Sequence, residues 1–79
     1  MELTHTTVEE GAMRSNTVRD LARRIEAEYA EMPGLSVTLP QAQRLWAADR
    51  HTCQAVFDRL IARGVLRMTT RGRFVRAWA

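Results

Sequence analysis

Lysine is absent from this chain of 79 residues, and all twelve of its basic residues are arginine. Cysteine occurs once, as Cys53, which excludes a disulfide within the chain and favours a reducing compartment. No apolar run approaches the roughly 20 residues of a membrane-spanning helix, and the N-terminus lacks the basic start and apolar core of a signal peptide. We therefore expect a cytoplasmic protein that has no membrane partner.

The chain also lacks the residue sets on which catalysis and metal binding usually depend. One small domain of this length buries only about 60% of its surface on folding, which leaves little room for a deep enzyme pocket. On a helix, His51 and Cys53 would point roughly 200° apart, and together with His5 they do not form a zinc-ligand spacing. Neither a glycine-rich phosphate loop nor a pair of carboxylates occurs. We therefore predict no enzyme activity, no metal and no cofactor.

Acidic residues are missing from the last part of the chain. Residues 1–40 hold four arginines and seven acidic residues, whereas residues 41–79 hold eight arginines and only two acidic residues, with none after Asp58. The absence of lysine has a simple explanation in a GC-rich genome, but base composition does not explain where the charges lie. Their polarisation indicates an anionic partner for the C-terminal half.

The apolar spacing divides the chain into a flexible tail over residues 1–15 and a folded domain over residues 16–79. Thr17 and Asp20 resemble a capping box at the start of a first helix. One face of that helix carries apolar residues at helical spacing, namely Val18, Leu21, Ile25, Tyr29 and Met32. The helix is predicted to end before Pro33. Its outer face pairs Arg24 with Glu28, and Asp20 with Arg23 or Arg24, so its arginines are interpreted as structural.

Two shorter helices are predicted to follow. Residues 35–39 alternate like a short strand, and Thr38 with Gln41 forms a capping box that starts the second helix, with Pro40 in its first turn. Its inward residues are predicted to be Ala42, Leu45 and Trp46. Asp49 is a good N-cap for the third helix, and Gly64 is its C-terminal stop. The buried stripe of the third helix is predicted to be Cys53, Val56, Phe57, Leu60 and Ile61.

The C-terminal segment is predicted to form a β-hairpin of residues 65–69 and 73–78. A three-residue loop with Gly72 in the left-handed conformation places Met68 opposite Phe74 on the buried face. A two-residue loop would instead pair Met68 with Val75, and both registers stay open at this point.

The order of helix, short strand, helix, tight turn, helix and basic hairpin over residues 17–77 resembles the winged helix-turn-helix DNA-binding domains of small bacterial proteins. Residues 41–56 are similar to the helix-turn-helix segment of that family. The family usually has glycine in the turn, where this chain has Ala47, and alanine where this chain has Gln43. Its small or branched anchor positions are held here by Ala42, Cys53 and Val56. The resemblance implies a mainly α fold with three helices, a short strand and a two-stranded wing.

The same resemblance implies a transcriptional regulator that binds double-stranded DNA with its third helix in the major groove. Arg50, His51 and Gln54 would face base edges, with Ala55 as a further candidate, because arginine suits guanine, glutamine suits adenine and a small alanine suits the thymine methyl. The remaining contacts, to phosphates or the minor groove, are assigned to Thr52, Arg44, Arg59, Arg71, Arg73 and Arg76. One small domain reads few base pairs, so a homodimer on a two-fold symmetric site is expected.

Further expectations and alternatives accompany this interpretation. Asp58 is predicted to orient Arg59 or Arg44, and Arg63 is predicted to extend the basic surface. As an alternative to DNA contact, Arg50 and His51 are simply the solvent-exposed first turn of a helix. The hairpin arginines are then a charged strand edge that discourages pairing with other strands. Because such folds also bind proteins, a protein-interaction module with an acidic partner is the alternative function, and an RNA-binding or small antagonist protein is a third.

Overall fold

The structure is a computed structural model that describes the backbone of residues 2–78 and the side chains of residues 17–78. Within that range the fold is mainly helical, with three helices followed by a two-stranded antiparallel hairpin. The elements in chain order are α1 (Glu2–Glu31), α2 (Leu39–Leu45), α3 (Arg50–Ala62), β1 (Leu66–Met68) and β2 (Phe74–Arg76).

Helix α1 begins earlier than the apolar spacing predicts. Its backbone is helical from Glu2 and continues through Thr17, so Thr17 does not cap the helix. A glycine such as Gly11 costs a helix about 1 kcal/mol but does not break it, and no proline precedes Pro33. The side chains before Thr17 lie outside the described residues, so the division into a tail and a domain stays a prediction. The end of α1 before Pro33 is confirmed.

The strand predicted over residues 35–39 is reduced to one antiparallel bridge. Val37 and Phe74 exchange backbone hydrogen bonds, with N···O distances of 3.4 Å and 2.7 Å. The confirmed capping box of Thr38 and Gln41, with Pro40 in the first turn, starts α2 directly afterwards. Because the chain turns into a helix there, only one residue remains to pair with β2.

Helices α2 and α3 begin at their predicted N-cap residues, but two of the apolar residues predicted to be buried are exposed. Ala42 and Trp46 are buried as predicted, whereas Leu45 is 52% exposed. On α3, Ile61 is 37% exposed, although the other four residues of the predicted stripe are buried. Both of these residues lie at the edge of the apolar face of their helix. The small domain covers only the middle of each face, so the edge stays exposed.

Helix α3 ends in a Schellman motif at Gly64. The amide of Val65 donates to the carbonyl of Leu60 over 2.9 Å, and the amide of Gly64 donates to that of Ile61 over 3.0 Å. Gly64 has a φ of 76°, in the left-handed region that favours glycine. The predicted stop is therefore confirmed together with its mechanism.

The hairpin has the three-residue loop, with Met68 opposite Phe74 and Leu66 opposite Arg76. Gly72 has a φ of 77°, as that loop requires. The burial of Met68 was predicted wrongly, because Met68 is 57% exposed while Phe74 is 3% exposed. Met68 lies at the loop end of the short hairpin, whereas Phe74 is held against the helices.

The core is built around four aromatic side chains, those of Tyr29, Trp46, Phe57 and Phe74. The rings of Phe57 and Phe74 stack with centroids 4.1 Å apart, and Trp46 meets Phe57 edge-on at 6.2 Å. The buried hydroxyl of Tyr29 donates to the carbonyl of Phe74 over 2.7 Å. The Trp46 indole donates to Glu28 of α1. These contacts fix α1, α3 and the hairpin relative to one another, and they position the charged surfaces described next.

Candidate nucleic-acid interface

The connection between α2 and α3 is a tight turn with an unusual residue at its centre. Ala47 has a φ of 49°, and among residues 2–78 it alone is a non-glycine residue with positive φ. The amide of Ala48 donates to the carbonyl of Gln43 over 3.1 Å, which is the long bond of a Schellman motif. The thiol of the buried Cys53 lies 3.9 Å from the carbonyl of Ala48. Ala47 therefore has the left-handed conformation, which glycine adopts more easily than alanine does.

The first turn of α3 is exposed and rigidly capped. The Asp49 carboxylate accepts from the amide of Thr52 over 2.7 Å, and hydrogen bonds from Thr52 hold the pKa of that carboxyl below its usual value. Arg50, His51 and Gln54 are exposed beyond this cap, whereas Thr52 is half-buried beside it. Three of the predicted contact residues therefore share an accessible surface at the start of α3.

Asp58 engages a different partner from the one predicted. Its carboxylate accepts from the Gln54 side-chain amide over 3.0 Å, and no ion pair joins it to Arg44 or Arg59 among the described side chains. The prediction that Asp58 orients an arginine was therefore wrong. The spacing of four positions between two exposed residues of one helix explains this contact.

The other two predicted helical arginines lie apart from Arg50. Arg44 is exposed in the last turn of α2. Arg59 follows Arg50 by nine positions, which at 3.6 residues per turn places it roughly 180° around α3. The guanidinium groups of Arg50 and Arg59 consequently belong to opposite flanks of the same helix.

The three predicted hairpin arginines differ in how free they are. Arg71 is exposed in the loop next to Gly72. Arg73 is half-buried and donates to the carbonyl of Ser36 over 3.4 Å. Arg76 donates to the carbonyl of Trp78 over 3.2 Å, and its guanidinium lies 4.6 Å from the centroid of the Trp78 ring. Of these three described side chains, only that of Arg71 makes neither a hydrogen bond nor a cation–π contact.

Sequence reasoning missed two arginines of α1 that face a groove beside α3. The groove has a volume of about 280 Å³ and is lined by Arg19, Ala22, Arg23, Glu26, Arg59 and Arg63. Among the described side chains Asp20 pairs with neither Arg23 nor Arg24, contrary to the prediction, although the predicted pair of Arg24 and Glu28 is present at 3.8 Å. One signal was available in the sequence, since Arg19 and Arg23 are like charges four positions apart on one helix face.

Most arginines of the C-terminal half have no carboxylate partner. Of the six arginines after Asp58, Arg63 alone forms an ion pair with a described residue, at 3.3 Å from Glu26. That pair ties α3 to α1 instead of extending a free basic surface. The other five leave positive charge uncompensated on α3 and the hairpin.

Comparison with known protein families, with curated proteins and with solved structures finds no match to this chain. Within residues 2–78, none of the helices combines the length and the apolar content that crossing a membrane would need. The functional interpretation consequently depends on the residues of the chain itself.

Proposed function

We propose that this protein is a winged helix-turn-helix protein that binds double-stranded DNA and regulates transcription. The observation that carries the proposal is the set of five arginines after Asp58 that lack a carboxylate partner among the described residues. An uncompensated positive surface attracts phosphates, and neutralising them releases counterions from the duplex.

In the proposed complex α3 lies in the major groove with its N-terminal turn at the base edges. The exposed Arg50 can donate two hydrogen bonds to guanine, and the exposed Gln54 can bind the edge of adenine. His51 lies next to Arg50 on the same turn, and Thr52 would approach a phosphate from the cap. The order of α2, turn, α3 and hairpin supports this mode of docking.

The hairpin would act as the wing. Arg71 at its tip would enter the minor groove or contact the backbone, and Arg44 of α2 would contact a phosphate. Arg73 and Arg76 would reach DNA only by exchanging their contacts with Ser36 and Trp78. A homodimer would double the number of base pairs read, so a second copy of the chain belongs to the proposal.

A titration of a labelled duplex, followed by fluorescence anisotropy at several salt concentrations, tests the proposal. We expect binding at low salt and a log-log slope of roughly 0.9 per phosphate contact. Arg71→Ala should lower that slope by roughly 0.9 if it contacts one phosphate. Arg24→Ala is the matched control, because Arg24 faces Glu28 on α1. If the wild-type chain does not bind duplex DNA at low salt, the proposal is wrong.

A second candidate function is the binding of an acidic protein partner. It is favoured by three large apolar side chains that are exposed, since Leu45, Ile61 and Met68 have exposed fractions of 52%, 37% and 57%. The centre of a protein interface is apolar and enriched in methionine and arginine, whereas DNA interfaces are more polar. Under this function Arg50→Ala and Gln54→Ala would leave DNA affinity unchanged, whereas base reading predicts a loss of about 1–3 kcal/mol on a preferred site.

A further inference from the structure

We infer that the groove between α1 and α3 is a phosphate site for the second DNA strand, contacted by Arg19, Arg23 and Arg59. This inference depends on the proposed DNA-binding function and adds α1 to the contact surface. The groove is lined by four arginines and one glutamate, with Ala22 as its apolar residue. Small-molecule pockets are mostly apolar, so this lining suits an anion better than an apolar ligand.

Only part of the positive charge in the groove is paired with an acidic side chain of the protein. Glu26 supplies the one carboxylate of the lining, and it accepts a hydrogen bond from the Arg63 guanidinium over 3.3 Å. Arg19, Arg23 and Arg59 are exposed and have no ion-pair or hydrogen-bond partner among the described side chains. Arg19 and Arg23 also repel each other, because they lie one turn apart on the same face of α1. An anion in the groove would relieve that repulsion.

The position of the groove fits the second strand of a duplex. The major groove is about 12 Å wide, close to the 10–12 Å diameter of a helix, so a helix docked there has one backbone at each flank. Arg50 and Arg59 lie on opposite flanks of α3, roughly 180° apart. The flank of Arg59 is the one that α1 borders, as the shared groove lining shows. Arg19 and Arg23 therefore stand where the second backbone would pass.

Two neighbouring arginines of α1 give a matched test. Arg23→Gln removes a charge from the groove, and Arg24→Gln removes one from the adjacent position that faces Glu28. Both changes remove one positive charge and nearly preserve helix propensity. In salt-dependent anisotropy titrations, we expect Arg23→Gln to lower the log-log slope by roughly 0.9 and a double Arg19→Gln, Arg23→Gln variant by roughly 1.8. Arg24→Gln should keep the wild-type slope, and all variants should keep the wild-type base preference.

The possible outcomes separate this inference from the function on which it depends. If the wild-type chain binds DNA and the slopes of Arg23→Gln and Arg24→Gln are equal, the second-strand site is wrong and DNA binding stands. If the wild-type chain binds no duplex at low salt, both are wrong. Pyrophosphate alone provides a third measurement. A pyrophosphate-induced rise in Tm that Arg23→Gln abolishes, with no change in the DNA slope, would identify a small-anion site and overturn the backbone contact. Circular dichroism must first show that each variant is folded.

Discussion

Replacing Ala47 by glycine is expected to stabilise the protein, although it removes a methyl group. Ala47 has a φ of 49°, and the left-handed conformation costs a residue with a Cβ about 1–2 kcal/mol. Glycine adds about 0.4–1 kcal/mol of unfolded-chain entropy, which opposes the gain. The difference between these two ranges is a stabilisation of about 0–1.6 kcal/mol, and its midpoint of about 0.8 kcal/mol corresponds to a rise in Tm of roughly 3–6 °C for a domain of this size. Thermal and urea unfolding followed by circular dichroism would measure it.

Two variants control for the general effect of the substitution. Ala48→Gly changes the adjacent alanine, which has no positive φ, so the greater entropy of the unfolded chain should cost the protein about 0.4–1 kcal/mol. Gly64→Ala makes the reverse change in the Schellman motif of α3, where an added Cβ would meet no atom within 4 Å. The stability that Gly64→Ala loses would therefore come from the φ of 76° alone. If Ala47→Gly lost as much stability as Ala48→Gly, the reasoning about the strained turn would be refuted.

Three further predictions concern the core and the cap. Burial raises the pKa of Tyr29 to about 12 from 10.0, so the stability due to its neutral hydroxyl should be complete below pH 10 and should be lost as the pH rises to about 12. Tyr29→Phe should remove that dependence in unfolding measured across this pH range. Phe57→Ala should destabilise the protein by about 3–5 kcal/mol in urea unfolding, because Phe57 is fully buried between Trp46 and Phe74. Asp49→Ala should lower Tm more than Asp49→Asn, since asparagine can still accept from the amide of Thr52.

The features that were predictable from sequence are those that a few neighbouring residues decide. The capping box of Thr38 and Gln41 needs only four positions, and the stop at Gly64 needs one residue without a Cβ. For the hairpin the sequence left two registers open, and the structure selects the three-residue loop, with Gly72 in the left-handed conformation. The alternative two-residue loop is thereby excluded. Short-range chemistry of this kind does not depend on how the rest of the chain packs.

Burial at the flanks of helices was not predictable in the same way. Apolar spacing gives the direction in which a helix face points, but it does not give how far the neighbouring elements extend over that face. The seven residues of α2 leave Leu45 uncovered, and the end of α3 leaves Ile61 uncovered. The groove of Arg19 and Arg59 was hidden for a related reason. It exists only because α1 packs beside α3, and these two arginines lie forty positions apart in sequence.

The two acidic residues of the basic half, Asp49 and Asp58, explain why its arginines remain uncompensated. Asp49 is the N-cap of α3 and Asp58 lies within α3, and both bind groups of α3 itself. Asp49 accepts from the amide of Thr52, and Asp58 accepts from the side chain of Gln54. A carboxylate can only accept, so Gln54 must direct its NH2 group toward Asp58. That contact uses one of two N–H groups and leaves one N–H and the carbonyl oxygen, which are the two groups that bind the edge of adenine. In the proposed complex Asp58 therefore orients a base-reading amide, and neither acid forms an ion pair that would occupy an arginine.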